Sequence, residues 1–77
     1  MTRIRLYSRP DCHLCEIAGD YLVASGVPVE IELVNIEGEI KLLDRYGLRI
    51  PVIQRVDNDQ ELFWPFNAEE LAVFISA

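Results

Sequence analysis

Two cysteines are the residues of this 77-residue chain whose type and spacing point most directly to chemistry. Cys12 and Cys15 are its only cysteines, and two residues separate them. On a helix, residues at this spacing lie nearly one turn apart, which is close enough for their thiols to form a disulfide. Such a pair could exchange disulfides with a substrate, link two parts of the chain, or supply half of a metal site.

The residues around Cys12 bear on how readily its thiol ionises. Residues 8–11 interrupt a strand-like alternation, so a helix is expected to begin close to Cys12. The free N–H groups and the dipole at a helix N-terminus stabilise anions and therefore favour a thiolate. Arg9 adds to this effect, whereas Asp11 and Glu16 oppose it, so we expect Cys12 to be a moderately activated nucleophile.

The expected division of labour within the pair follows from their positions on the helix. Cys12, at the helix start, is expected to be exposed and to attack a substrate disulfide, and the more buried Cys15 then attacks the mixed disulfide. His13, the only histidine, could stabilise the Cys12 thiolate when protonated. Adjacent side chains on a helix diverge, so a solvent-exposed His13 is the favoured expectation.

Three other roles for the cysteine pair stay open at this point. As a structural link, a disulfide that closes about four residues would contribute only roughly 2 kcal/mol. As a zinc site it lacks a partner pair, so a second chain or a small thiol would have to complete the four ligands. The third alternative is an inactive redox fold that serves only to bind a partner.

Composition excludes several classes of function. Thirteen acidic residues against seven basic ones give a net charge of −6, which disfavours binding to nucleic acid and to anionic membranes. The longest apolar run, Leu71 to Ile75, is far shorter than the ~20 residues of a membrane-spanning helix. The opening Met-Thr-Arg-Ile-Arg has no secretory pattern. We expect a cytoplasmic monomer whose single domain spans residues 1–77.

Seven secondary-structure elements are predicted, in the order β-α-β-α-β-β-α. They are a strand at 3–7, a helix from about Leu14 to Gly26, a strand at 28–34, a helix at 37–46, strands at 51–56 and 60–64, and a last helix capped by Asn67. A right-handed crossover makes the first two strands parallel, and a tight turn at 57–59 makes the last two antiparallel. The expected fold class is therefore a small mixed α/β sheet.

Apolar spacing predicts which faces of these elements are buried. In the first helix the expected stripe is Leu14, Ile17, Ala18, Tyr21 and Leu22. In the second strand it is Val29, Ile31 and Leu33, with glutamates outward. In the second helix it is Ile40, Leu43 and Tyr46, with a Glu37–Lys41 pair outside and Gly47 as the C-terminal cap. Glu70 is expected to complete a capping box with Asn67.

Residues 7–15, Tyr-Ser-Arg-Pro-Asp-Cys-His-Leu-Cys, resemble the active-site segment of glutaredoxins, which have the thioredoxin fold. Residues 46–52, Tyr-Gly-Leu-Arg-Ile-Pro-Val, resemble the segment that in this family ends in a cis-proline facing the cysteines. The likeness extends over essentially the whole chain, and it is greatest to short bacterial glutaredoxin-like proteins. It implies strand order 2-1-3-4, with the first and third helices on one face, the second on the other, and a cis Ile50–Pro51 bond.

The resemblance also implies a function. Cys12 would be the nucleophile and Cys15 the resolving thiol of a thiol-disulfide oxidoreductase, and the backbone of Ile50 beside Pro51 would pair with an extended substrate. The implied partners are disulfide-containing proteins or glutathione mixed disulfides, with glutathione as reductant and no bound cofactor. The alternative hypotheses are a metal or iron-sulfur binding module that uses Cys12 at a dimer interface, and a redox-inactive interaction domain.

Two departures from the family pattern concern glutathione binding. Glutaredoxins commonly have Pro-Tyr between the cysteines, where this chain has His13-Leu14. Near the last helix they have two glycines and an acidic residue, where this chain has Trp-Pro-Phe-Asn at 64–67. Asn67 at a helix N-terminus could still present amides to an anion, and Arg9 and Arg49 could attract carboxylates or be ordinary solvated arginines. The aromatic residues Tyr7, Trp64 and Phe66 are expected in the core rather than in a substrate groove.

Overall fold

The computed structural model describes residues 2–76, and its elements follow the predicted order. The strands are β1 Thr2–Ser8, β2 Val29–Asn35, β3 Val52–Arg55 and β4 Glu61–Phe63; the helices are α1 His13–Ala24, α2 Ile40–Tyr46 and α3 Ala68–Ser76, with a 3₁₀ turn at Ile36–Gly38. The sheet order is β2-β1-β3-β4. Strand β1 is parallel to β2 and antiparallel to β3, and β3 is antiparallel to β4. The predicted topology is confirmed.

Alternating side chains of the two inner strands build a core on each face of the sheet. The core of the first face contains Ile4, Leu6, Ala18, Leu22, Ile53, Phe66, Leu71 and Ile75. The core of the second face contains Tyr7, Ile36, Tyr46 and Val52. Helices α1 and α3 therefore cover one face and α2 the other, as expected for this strand order.

Three residues predicted to mark helix ends, Gly26, Gly47 and Asn67, do so in the structure. Gly26, just after α1, has φ +69, a left-handed conformation that glycine adopts at little cost. Gly47 ends α2 with a right-handed φ, and a Cβ there would collide with the carbonyl oxygen of Leu43. At α3, Asn67 Oδ1 accepts from the Glu70 amide at 2.7 Å, and Glu70 Oε1 accepts from the Asn67 amide at 3.4 Å. The capping box is confirmed.

The prediction of one continuous helix over residues 37–46 is wrong. Asn35 Oδ1 accepts from the Glu37 amide and starts a separate 3₁₀ turn, and Glu39 is extended with φ −147. Helix α2 begins only at Ile40, so the Glu37–Lys41 pair cannot form as an i,i+4 contact. Of the expected buried face, Tyr46 is buried, whereas Ile40 is 84% exposed.

Two further expectations about burial are also wrong. Ile31 and Leu33 of β2 are exposed, although they pair in register with the buried Ile4 and Leu6 of β1. Strand β2 is an edge strand, and α1 and α3 pack over the inner strands, so these side chains lack a cover. In α1, Leu14 is likewise exposed, and Cys15 takes the buried position.

Two peptide bonds, Ile50–Pro51 and Trp64–Pro65, are cis. Within the described part of the chain, no helix is long and apolar enough to cross a membrane.

Candidate functional site

The candidate site lies between the end of β1 and the start of α1. Asp11, with φ +60, turns the chain, and Cys12 is the N-cap residue of α1 in an extended conformation. Its sulfur accepts a hydrogen bond from the Cys15 amide, with 3.2 Å between Sγ and N. One of the otherwise unpaired amides of the helix start therefore points at the Cys12 sulfur.

Cys12 and Cys15 are joined as a disulfide, with their Cα atoms 5.2 Å apart. Cys12 is half-buried and Cys15 is buried, so the sulfur at the helix start is the more accessible of the two. The described structure is thus the oxidised form of a pair whose two members differ in exposure, as an attacking and a resolving thiol require.

A groove of about 220 Å³ opens beside the disulfide, on the side facing β2. We call it the cysteine groove; its lining residues are Leu6, Ser8, Arg9, Asp11, Cys12, Cys15, Glu16 and Leu33. A second cavity of about 200 Å³ adjoins it and shares Ser8, Arg9 and Leu33. The disulfide therefore lies at the end of a longer depression that a substrate chain could enter.

Charged side chains around the cysteine groove are mostly acidic. Arg9 donates from Nη2 to Glu37 Oε2 at 3.1 Å, so its charge is paired. Asp11 and Glu16 line the groove itself. His13 is 83% exposed, and its Nδ1 lies 3.9 Å from Glu16 Oε2. The favoured expectation of a solvent-exposed His13 agrees with this placement.

The segment before β3 lies at the same end of the sheet as the cysteines. Tyr7, near the end of β1, pairs with Val52 at the start of β3. Two segments thus leave the sheet side by side: the loop between β1 and Cys12, and the Ile50–Pro51 segment. Pro51 is buried and its carbonyl accepts from the Trp64 amide at 3.2 Å.

A tyrosine pair supports this end of the sheet from the α2 face. The rings of Tyr7 and Tyr46 stack with centroids 4.3 Å apart. The Tyr7 hydroxyl donates to Gln54 Oε1 at 2.8 Å, and the Tyr46 hydroxyl donates to Glu61. Burial, and next the hydrogen bond to Glu61, raise the pKa of Tyr46 well above its ordinary value.

Two of the predicted site residues lie apart from the cysteine groove. The Arg49 guanidinium lies 5.3 Å from the ring centroid of Phe63, over the β4 side of the sheet. Asn67 lines a different cavity, and its amide is bonded to Glu70, with Glu69 in the same first turn. The negative charge of this turn disfavours the binding of an anion. Neither residue is brought to the groove lining.

The aromatic residues after β4 belong to the core, as predicted. Phe66 is buried, and Trp64 packs against the first core. Their rings meet edge to face at 5.1 Å, and Tyr21 of α1 joins them. They hold the start of α3 against α1.

Ser8 and Leu33 are groove residues that the sequence patterns did not single out. The alternation at residues 28–34 predicts a buried Leu33, and Ser8 lies in the predicted break before the first helix. The only available signal was positional, since Ser8 directly precedes the cysteine loop and Leu33 pairs with Leu6 in the parallel register.

No three His, Cys, Asp or Glu side chains among residues 2–76 come together in a way that could hold a metal ion. The second pair of ligands that a zinc site needs is therefore not supplied by residues 2–76.

The sheet order, the helix placement and a Cys-X-X-Cys at the start of α1 together define a thioredoxin-fold protein. A family model described as "Glutaredoxin-like domain (DUF836)" matches residues 3–76, so the chain belongs to this glutaredoxin-like family. The predicted resemblance is confirmed. Among curated proteins, the sequence has no significant match.

The chain is also similar to solved structures. The X-ray structure of Northeast Structural Genomics target protein XcR50 from X. campestris is 36% identical, with 95% of each chain covered and a TM-score of 0.86. The solution NMR structure of protein Ne2328 from Nitrosomonas europaea is 30% identical, covering 96% of this chain and 91% of that one, with a TM-score of 0.75. A third structure is that of a mutant thioredoxin from Halobacterium salinarum NRC-1, which is 14% identical and has a TM-score of 0.68. The match covers 97% of this chain and 72% of that one, and it shows the fold alone.

Proposed function

We propose that this protein is a thiol-disulfide oxidoreductase in which Cys12 attacks and Cys15 resolves. The observation that carries the proposal is the Cys12 sulfur at the α1 N-cap, bonded by the Cys15 amide and bridged to the buried Cys15 sulfur. A sulfur that accepts a helix N-terminal amide is stabilised as an anion, and the thiolate is the species that attacks a disulfide.

The proposed reaction starts from the reduced pair. The Cys12 thiolate attacks one sulfur of a substrate disulfide, forming a Cys12–substrate S–S bond and releasing the other substrate sulfur as a thiolate that takes up a proton. The Cys15 thiol then loses its proton and attacks Cys12 Sγ, so the mixed disulfide breaks and the second substrate thiol leaves. The substrate gains two electrons, and the protein ends as the Cys12–Cys15 disulfide seen in the structure.

Turnover requires that this disulfide be reduced again. Two glutathione molecules, which become glutathione disulfide, or one dithiol protein would supply the two electrons. We propose disulfide-containing proteins and glutathione mixed disulfides as the substrate classes, and cell redox homeostasis as the role. A reducing compartment suits this cycle, so we also propose the cytoplasm.

Other predicted residues receive positioning roles in the proposal. The Ile50 backbone, beside Pro51 and at the same sheet end as the cysteine loop, would pair with an extended substrate segment. Arg9 forms part of the groove wall through its bond to Glu37, and the exposed His13 would meet the substrate from the helix start. Arg49 would act from the β4 side of the sheet.

A reductase assay tests the proposal. The reduced protein, Cys12→Ser and Cys15→Ser are compared with hydroxyethyl disulfide and with a disulfide-bonded protein, using a dithiol as electron source. We expect Cys12→Ser to lose all activity above the uncatalysed rate. Equal rates for wild type and Cys12→Ser would end the proposal, and stoichiometric zinc or iron in the purified protein would favour the metal-module alternative instead.

A further inference from the structure

The charges at the cysteine groove indicate which disulfides it accepts. Two carboxylates, those of Asp11 and Glu16, line the groove, and a third, that of Glu37, accepts a hydrogen bond from the one guanidinium in the lining, that of Arg9. Resting on the proposed oxidoreductase function, we propose that the cysteine groove selects disulfides carrying positive charge and disfavours anionic ones, including glutathione disulfide.

The single arginine does not reverse this balance. Arg9 Nη2 is held 3.1 Å from Glu37 Oε2, and both side chains are about half exposed, so the pair is close to neutral toward an incoming group. The remaining carboxylates, Asp11 and Glu16, have no guanidinium partner among the described residues. His13, a further basic side chain beside Glu16, is 83% exposed, and its Nδ1 lies 3.9 Å from Glu16 Oε2.

The groove walls suit the rest of such a substrate. Leu33 is 68% exposed and offers an apolar wall to the methylene groups that flank a disulfide. Ser8 is 7% exposed, and in residues 2–76 its hydroxyl has no hydrogen-bond partner. Ser8 also lines the cysteine groove, so this hydroxyl could bond to a polar group of the substrate.

These features fit an aliphatic ammonium or a lysine or arginine close to a disulfide. The disulfide sulfur would reach Cys12, methylenes would contact Leu33, and the cation would lie among Asp11 and Glu16. Glutathione brings two carboxylates and one ammonium per molecule, so the same rim makes it a slower substrate and reductant than a cationic disulfide or thiol. The substrate class that follows is a protein disulfide within a basic segment.

Three small disulfides test the selectivity without requiring an electron donor. The reduced protein is mixed at pH 8 with cystamine, which is cationic, with neutral hydroxyethyl disulfide, or with anionic dithiodipropionate, and the second-order rate of thiol loss is measured. The cystamine-to-dithiodipropionate rate ratio is divided by the same ratio for 2-mercaptoethanol, a neutral thiol. This division removes the intrinsic difference between the two disulfides.

We expect the corrected ratio to be about tenfold at low ionic strength and to approach one in 0.5 M salt, because charges at an exposed rim are screened. Asp11→Asn combined with Glu16→Gln should lower the ratio at least about threefold. Neutralising these carboxylates also changes how readily Cys12 ionises, but both substrates meet the same thiolate, so the ratio is unaffected by that change.

A matched variant with the same change in net charge controls for long-range effects. Asp44→Asn combined with Glu69→Gln alters exposed positions on α2 and α3, outside the groove lining. It should leave the corrected ratio within about twofold of wild type. A corrected ratio of one or less, or an equal drop in both double variants, would overturn the selectivity.

The outcomes separate this inference from the proposed function. If hydroxyethyl disulfide reacts with wild type but not with Cys12→Ser, and the corrected ratio is one, only the selectivity is lost. If the neutral disulfide reacts no faster with wild type than with Cys12→Ser, the oxidoreductase proposal itself fails.

Discussion

The backbone amide of Cys15 donates to the sulfur of Cys12 across 3.2 Å, so Cys15 also positions the sulfur that it attacks in the proposed reaction. The contact arises because Cys12 is the N-cap of α1 and Cys15 is the third residue of that helix. Since the amide belongs to the backbone, replacing the Cys15 side chain leaves the donor in place. The two roles of Cys15, donor and thiol, can therefore be separated by mutation.

The first prediction follows from this separation. Cys15→Ser should retain attack by Cys12 and lose only the second step, so the mixed disulfide should accumulate. After incubation with a disulfide, intact-mass measurement should show one substrate half bound per protein, released by dithiothreitol.

Cys12→Ser is the matched control, because its single remaining thiol is the buried one. We expect no adduct, or one that forms at least about tenfold more slowly. Faster labelling of Cys15 than of Cys12 would show that the roles are reversed.

The second prediction concerns the apolar wall of the cysteine groove. Leu33→Ser should raise KM for an aliphatic disulfide several-fold, because the exposed side chain contacts the substrate in the proposed complex. Thermal stability should change little, since an exposed leucine contributes little burial. Steady-state kinetics and a melting curve measure the two effects.

Leu48 supplies the control for Leu33. It is fully exposed and lies outside the groove lining. Leu48→Ser should leave KM unchanged, and a similar rise in both variants would point to a general surface effect instead.

The site motif and the order of elements could be read from the sequence because both are local. The Cys12–Cys15 spacing, the Asn67–Glu70 capping box and the alternation in β1 each depend on residues close in the chain. The resemblance to glutaredoxins then supplied the strand order, which local patterns leave open.

The errors arose where neighbouring elements decide the outcome. Leu33 alternates as a buried residue should, but only the packing of α1 and α3 shows that β2 is uncovered at that position. Residues 37–46 have helical spacing throughout, yet Asn35 bonds the Glu37 amide and a separate turn forms. Glu37 was expected to pair with Lys41 and instead contacts Arg9, far away in sequence.

The third prediction uses the raised pKa of Tyr46. Burial and the Glu61 hydrogen bond keep Tyr46 protonated when folded, whereas an unfolded tyrosine ionises near pH 10. Its contribution to stability is thus fully present below about pH 10 and is lost as the pH rises toward the folded pKa. The free energy of unfolding, measured with denaturant, should therefore fall more steeply above pH 10 for wild type than for Tyr46→Phe.

At neutral pH the free energy of unfolding of Tyr46→Phe should be about 1–2 kcal/mol lower than that of wild type. The reason is that Glu61 loses a hydrogen-bond donor, while the stacking on Tyr7 is kept. Absorbance of ionised tyrosine should show one of the three tyrosines titrating last, and that component should vanish in Tyr46→Phe. A component that persists would assign the late titration to another tyrosine.

The last prediction concerns Arg55, a buried arginine that ties the β3–β4 turn to α3. Its Nε and Nη2 donate to Asp57 at 3.0 and 2.6 Å, and its Nη1 donates to the Phe74 carbonyl at 3.0 Å near the end of α3. Arg55→Met should lower the melting temperature more than Asp57→Asn does, because it also leaves that carbonyl without this donor.

The dependence on pH tests the same contact. The hydrogen bonds from Arg55 lower the pKa of Asp57 in the folded protein. The ionised Asp57 therefore stabilises the fold above the pKa of an unfolded aspartate, near 4, and this stabilisation is lost as the pH falls through the lower folded pKa. The stability difference between wild type and Asp57→Asn should accordingly shrink between pH 5 and pH 2, measured by denaturant unfolding. Asp59→Asn in the same turn is the control, and an equal trend for it would exclude the Arg55–Asp57 bond as the cause.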